Sequence, residues 1–126
     1  MAAGEHSAVD LKGRTTQFAL RIIRLYAALP KTTLAQVLGK QVLRSGTSVG
    51  AHYREALRAR SRAEFVSKLE GALQELEETH YWLELLVGAG VLEQKRIHDL
   101  LEECNQLAAI LTSSVKTAKA GKERHS

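Results

Sequence analysis

Apolar side chains recur at steps of three and four along most of this chain, the period of one helical face. Phe18, Ile22, Leu25 and Leu29 form the first such run. Pro30 closes it, because its ring disfavours helical geometry in the residue before. Thr33 and Gln36 have the spacing of a capping box and predict a second helix, reaching about Ala59. Its inward face reads Leu38, Val42, Ser45, Val49, His52 and Ala56. Ser61 and Glu64 repeat the capping signal before a third helix, with Phe65, Leu69, Leu73, Leu76, His80, Leu83 and Val87 on one face. Glu64 and Lys68 there have the favourable acid-before-base order at four residues. Gly88 to Gly90 end that helix, since glycine readily takes a left-handed cap. A fourth helix spans roughly Glu93 to Lys119, with Ile97, Leu101, Cys104, Leu107 or Ala108, Leu111 and Val115 inward.

No segment alternates with period two, and Pro30 is the single proline. The pattern therefore predicts an all-α, antiparallel up-down-up-down four-helix bundle over residues 12–119. Residues 1–11 lack periodicity and are expected to be poorly ordered; 120–126 are expected to be a frayed, basic polar tail. A chain of 126 residues, 44% apolar, can bury one core. No cationic start with an apolar run follows Met1, and no run is long enough for a membrane span. With one cysteine, Cys104, no internal disulfide framework is possible, which fits a reducing interior. The expectation is a soluble cytoplasmic protein with no membrane partner.

Charge is unevenly placed. The net charge of +4 hides a segment from Lys12 to Arg62 in which eleven basic residues meet one acid, Glu55. Residues 63–126 hold seven basic and eleven acidic groups. Such a division either attracts an anionic partner or joins the halves of the bundle to each other.

The stretch Leu43 to Ala56, LRSGTSVGAHYREA, could in isolation suggest a phosphate loop. That chemistry needs glycines between a strand and a helix, whereas helical periodicity runs on both sides here. Leu43, Gly46, Gly50, Tyr53 and Leu57 instead line a second face of helix two. Interior glycines cost about 1 kcal/mol each relative to alanine, so close approach of another backbone is expected to offset them. The approaching helix could belong to the same chain or to a neighbouring subunit; a second apolar face beyond the bundle's own points to a subunit seam. Tyr81 and Trp82 point about 100° apart, which lets one enter the core and the other reach a neighbouring chain.

Glu77 and His80 form one Glu-x-x-His motif. Di-iron bundles need two, and Lys95 stands three residues before His98, so a core or interface histidine is the better reading. Cys104 falls on an apolar face as a small hydrophobe. No convergent catalytic set is visible, so neither an enzyme nor a cofactor or metal is expected. The remaining signal is basic: Lys40, Arg44, Arg54 and Arg58 along helix two, with Arg60 and Arg62 at the turn after it. Nucleic-acid phosphates are the commonest partner of such a cluster. Pairing with the glutamates of helix three is the alternative.

With the helices placed, LRSGTSVGAHYREA, then AEFVSKLEGALQELEETHYWLELL, then LLEECNQLAAIL resemble the small proteins encoded in intervening sequences of bacterial 23S ribosomal RNA genes. The resemblance covers about residues 12 to 119. Arg44, Ser45, Gly46, Thr47, Ser48, Gly50, Tyr53, Glu55 and Ala56 carry the helix-two motif. Phe65, Lys68, Leu69, Glu75, Glu78, Thr79, Tyr81, Trp82 and Leu83 carry that of helix three. His52 departs from it, standing where relatives more often show Asn. The resemblance implies a four-helix bundle assembling into a barrel-like homopentamer. It implies distant kinship with the accessory variability proteins of diversity-generating retroelements, which associate with nucleic acid and a reverse transcriptase. Two functions are thus expected: a non-catalytic oligomeric scaffold binding RNA or DNA, or a module binding another polypeptide such as a reverse-transcriptase-like partner.

Overall fold

The structure, a computed structural model, describes residues 10–125. Its elements are four helices: α1 (Leu11–Ala27), α2 (Thr33–Leu57), α3 (Arg62–Gly88) and α4 (Gln94–His125). No strand occurs among the described residues. Successive helices are antiparallel neighbours. Gly39, Gly46 and Gly50 of α2 face Leu29, just past the end of α1, and Ile22 and Thr15 of α1, in reversed order. Ser45 and Glu55 of α2 likewise meet Thr79 and Lys68 of α3, and Glu70 of α3 meets Lys119 of α4. The circuit closes only loosely, because α1 and α4 touch sparingly.

Each boundary has a local cause. Asp10 caps α1, accepting from the Gly13 amide at 2.8 Å. For α2 the expected cap shifts by one residue: Thr32 is extended and accepts from the Ala35 amide at 3.2 Å. Gln36 is drawn off to the preceding turn, where it donates to the Pro30 carbonyl and accepts from the Tyr26 hydroxyl, both at 2.9 Å. At α3, Ser61 accepts from the Glu64 amide and Glu64 accepts from the Arg60 amide, each at 3.0 Å. At its other end Gly90 has φ 80°, and the Val91 amide reaches the Leu86 carbonyl at 2.9 Å while that of Gly90 reaches Val87. That is a Schellman closure, which only glycine enters without strain.

Phe18, Ile22, Val42, Val49, Leu69, Leu76, Leu83, Leu86, Ile97, Leu107 and Leu111 fill the core. The expected inward face of α3 is rotated. Ala72, Thr79 and Leu86 are buried, whereas Phe65, Leu73, His80 and Val87 are half-buried. The cause is that α3 serves two partners, α2 and α4, so its apolar arc is wide and its centre is ambiguous from periodicity alone. On α4, Leu100 is buried and Leu101 half-buried, the reverse of expectation. On α2, Leu38 and His52 are likewise half-buried. The expected disorder of residues 1–11 falls largely on 1–9, outside the described residues; Leu11 itself is buried. Helix α4 continues to His125 rather than stopping at Lys119. No helix among the described residues is long and apolar enough to cross a membrane.

Candidate nucleic-acid interface

Lys40, Arg44 and Arg54 on α2 and Arg58 at its C-cap are all exposed. On an ideal helix they fall within an arc of about 80° and extend over about 27 Å. The face is real, but its members have different commitments. The Arg44 guanidinium donates to Glu78 at 2.6 Å and to Glu75 at 3.2 Å. The hydrogen bond with Glu78 contributes most to holding its pKa above the ordinary arginine value. Arg44 therefore joins α2 to α3 and presents little net charge outward. Arg54 leans the other way and donates to the Thr16 hydroxyl of α1 at 3.1 Å, which leaves its charge unanswered.

Lys40, Arg58, Arg60 and Arg62 are exposed, and none has a carboxylate within ion-pair distance among the described residues. The nearby acids are engaged elsewhere. Glu55 accepts from Lys68 at 2.9 Å, and that hydrogen bond holds the Glu55 carboxyl below, and the Lys68 ammonium above, its usual range. Glu64 serves the cap of α3. The expected Glu64–Lys68 helix pair is thus replaced by a cross-helix pair, because the cap takes one partner and Glu55 the other. Arg62 lies against α4 near its far end: a Cβ on Gly121 would meet its Nη1 at 3.3 Å. The α2–α3 turn and the C-terminal part of α4 consequently share one end of the bundle.

The glycine seam lies within the chain. A Cβ on Gly46 would stand 2.7 Å from Ile22 Cγ1, and one on Gly50 would stand 3.1 Å from Thr15 Oγ1. Helix α1 already occupies the space, so of the two alternatives for Gly46 and Gly50, the same chain or a neighbouring subunit, the approaching helix is one of the same chain. Tyr53 is half-buried against the core. Burial first, and the charge of Asp10 second, raise its phenol above the ordinary value. Tyr81 is 53% exposed, while Trp82 is half-buried with its indole nitrogen enclosed and unpartnered. Their rings lie 5.3 Å apart, tilted at 57°.

Two features escaped sequence reasoning. Arg14 clasps Glu103 at 2.6 and 3.0 Å and Gln106 at 3.0 Å, the principal tie between α1 and α4. Thr79 donates to Ser45 at 2.8 Å inside the α2–α3 contact. His80 is half-buried between α3 and α4 beside Cys104, with Glu84 3.7 Å from its ring nitrogen. Among the described residues no three His, Cys, Asp or Glu side chains converge as metal ligands.

The comparison with protein families decides the kinship. The model for the 23S rRNA-intervening sequence protein family matches residues 9–113. The chain belongs to this family. A crystal structure of a Bacteroides thetaiotaomicron VPI-5482 protein of unknown function, from the S23 ribosomal protein family, is similar in fold and sequence. The two share 41% identity and a TM-score of 0.79, over 83% of this chain and 94% of that one. No curated protein matches. Family membership accounts for the bundle and for the motif shared by α2 and α3; the chemistry of the basic face rests on the residues themselves.

Proposed function

We propose that the protein is a non-catalytic oligomeric scaffold that holds the phosphate backbone of RNA or DNA against the outer face of α2 and the α2–α3 turn. One observation carries the reading: five of the six basic groups there, Lys40, Arg54, Arg58, Arg60 and Arg62, have no carboxylate partner among the described residues. Exposed cations without internal partners suit phosphates, which they contact with release of counterions. Arg44, by contrast, is internally neutralised and serves the fold.

Assembly, with five copies as the family resemblance implies, is part of the proposal. Ile23, Leu34, Val37 and Tyr81 leave apolar surface exposed that neighbouring copies would cover. Repetition of a weak phosphate-binding face around one particle gains avidity without any new contact. The test is fluorescence anisotropy with labelled RNA and DNA across a salt series, on protein of measured native mass. Binding that weakens steeply with salt and is reduced by Arg58→Gln and Arg60→Gln supports the reading. Absence of binding at low salt by an assembled sample overturns it. A polypeptide partner retained after nuclease treatment would favour the interaction-module alternative, for which the same exposed apolar residues speak.

A further inference from the structure

At the end of the bundle opposite the α2–α3 turn, α1 and α4 part. A cavity of about 410 Å³ opens between them, bounded by the α1–α2 turn at Pro30 and the α3–α4 turn at Val91. Leu25, Ile97 and Leu100 line it together with three arginines, Arg21, Arg24 and Arg96. None of the three guanidinium groups makes a hydrogen bond or ion pair among the described residues. The neighbouring carboxylate that could have served Arg21, Glu103, is already clasped by Arg14. Arg96 also stands in the first turn of α4, where the helix dipole disfavours a cation.

Three like charges gathered on an apolar opening repel one another, and no internal anion relieves them. We propose that this cavity is a binding site for a small organic anion, a phosphate or carboxylate carried on an apolar body. The guanidinium groups supply paired donors matched to the planar or tetrahedral anion. The Leu25, Ile97 and Leu100 side chains take the hydrocarbon. The volume lies in the range of small-molecule sites, which are mostly apolar with a few convergent polar groups. The site is independent of the nucleic-acid reading, since it lies at the end of the bundle opposite Arg58, Arg60 and Arg62 and adds an apolar requirement that a sugar-phosphate backbone does not meet.

The experiment is calorimetric titration of the assembled full chain with octyl phosphate, alongside octanol and inorganic phosphate. One saturable site per chain is expected for octyl phosphate, with neither octanol nor inorganic phosphate matching it. Arg24 and Arg96 are exposed, so Arg24→Gln and Arg96→Gln preserve the fold, checked by circular dichroism. Each should weaken octyl phosphate binding roughly tenfold or more. Arg58→Gln should leave it unchanged, which separates this site from the α2 face. Phosphatidylglycerol vesicles as competitor distinguish the source: displacement supports a lipid headgroup, and its absence supports a soluble anion. No saturable binding, equal binding of octanol, or full binding by both variants would overturn the proposal.

Discussion

Thr79 of α3 donates a 2.8 Å hydrogen bond to Ser45 of α2, and both side chains are sealed from solvent. Ser45 passes the chain on to the Gln41 carbonyl at 2.9 Å, and Thr79 has the Glu75 carbonyl within 2.8 Å as an alternative acceptor. Each hydroxyl therefore keeps a backbone partner if the other is removed. Ser45→Ala and Thr79→Val should each cost no more than about 1.5 kcal/mol, the net worth of one hydrogen bond rather than of an orphaned polar group. Urea unfolding of the two variants checks this. A loss near 3 kcal/mol would mean that the hydroxyls depend on each other.

The helical glycines should divide by what they face. Gly46→Ala drives a methyl group to 2.7 Å from Ile22 Cγ1, near the root of a fully buried side chain that has no room to turn away. The expected loss is about 1–3 kcal/mol, the cost of overpacking, reduced by alanine's better helix propensity. Gly50→Ala meets Thr15 at 3.1 Å and should cost less. Gly88→Ala meets nothing within 4 Å and should be neutral or stabilising by up to about 1 kcal/mol. Thermal unfolding orders the three; an equal response at Gly46 and Gly88 would refute the close approach.

Arg44 and Arg58 should separate stability from binding. Arg44→Gln leaves Glu75 and Glu78 without their guanidinium, yet the pair is half-exposed and screened, so the loss is at most about 1 kcal/mol and shrinks in high salt. Its nucleic-acid affinity should stay close to that of the parent. Arg58→Gln should melt like the parent while the slope of log affinity against log salt falls by about one. The converse pattern would assign the phosphate contact to Arg44.

How much of this was legible in the sequence depended on how local the cause was. Ser61 with Glu64, and Gly90, act within a few residues, and their patterns marked the ends of α3 correctly. The order of four helices followed from periodicity because each apolar stripe is long. Phase was harder. In α3 the small Ala72 and polar Thr79 sit at the buried centre, so counting large apolar residues rotated the face. Arginine commitments were the least legible, since whether Arg44 meets Glu78, 34 residues along the chain, or solvent depends on the register of two helices. The same limit applied to the glycines: spacing revealed that something approaches closely, and only tertiary structure showed it to be Ile22 and Thr15 of the same chain.

The Trp82 indole nitrogen is enclosed and has no hydrogen-bond partner. An unpaired buried donor costs about 1–3 kcal/mol, so removing it returns part of what the lost ring area takes away. Trp82→Phe should change stability by less than about 1 kcal/mol, whereas Trp82→Ala should cost about 3 kcal/mol or more. Denaturant midpoints with unchanged m-values provide the measurement. A large loss in the phenylalanine variant would reveal a partner for the nitrogen, such as an enclosed water.

Cys104 gives the protein an alkaline sensitivity whose sign is fixed by burial. Removal from water pushes its thiol up to about 12, the charge of Glu103 adds to this, and Arg21 opposes it. In the unfolded chain the thiol ionises at about 8.5. Between those values the unfolded state has released a proton that the folded state retains, so stability falls as pH rises from about 9 towards 12. Cys104→Ala should remove this thiol's part of the decline, at the cost of a small cavity. Reactivity follows the same logic, because the thiolate is the attacking species. At pH 8 a disulfide reagent should modify native protein far more slowly than urea-unfolded protein, at a rate that tracks unfolding. Rapid modification of the native chain would show that Cys104 is reached from solvent without unfolding.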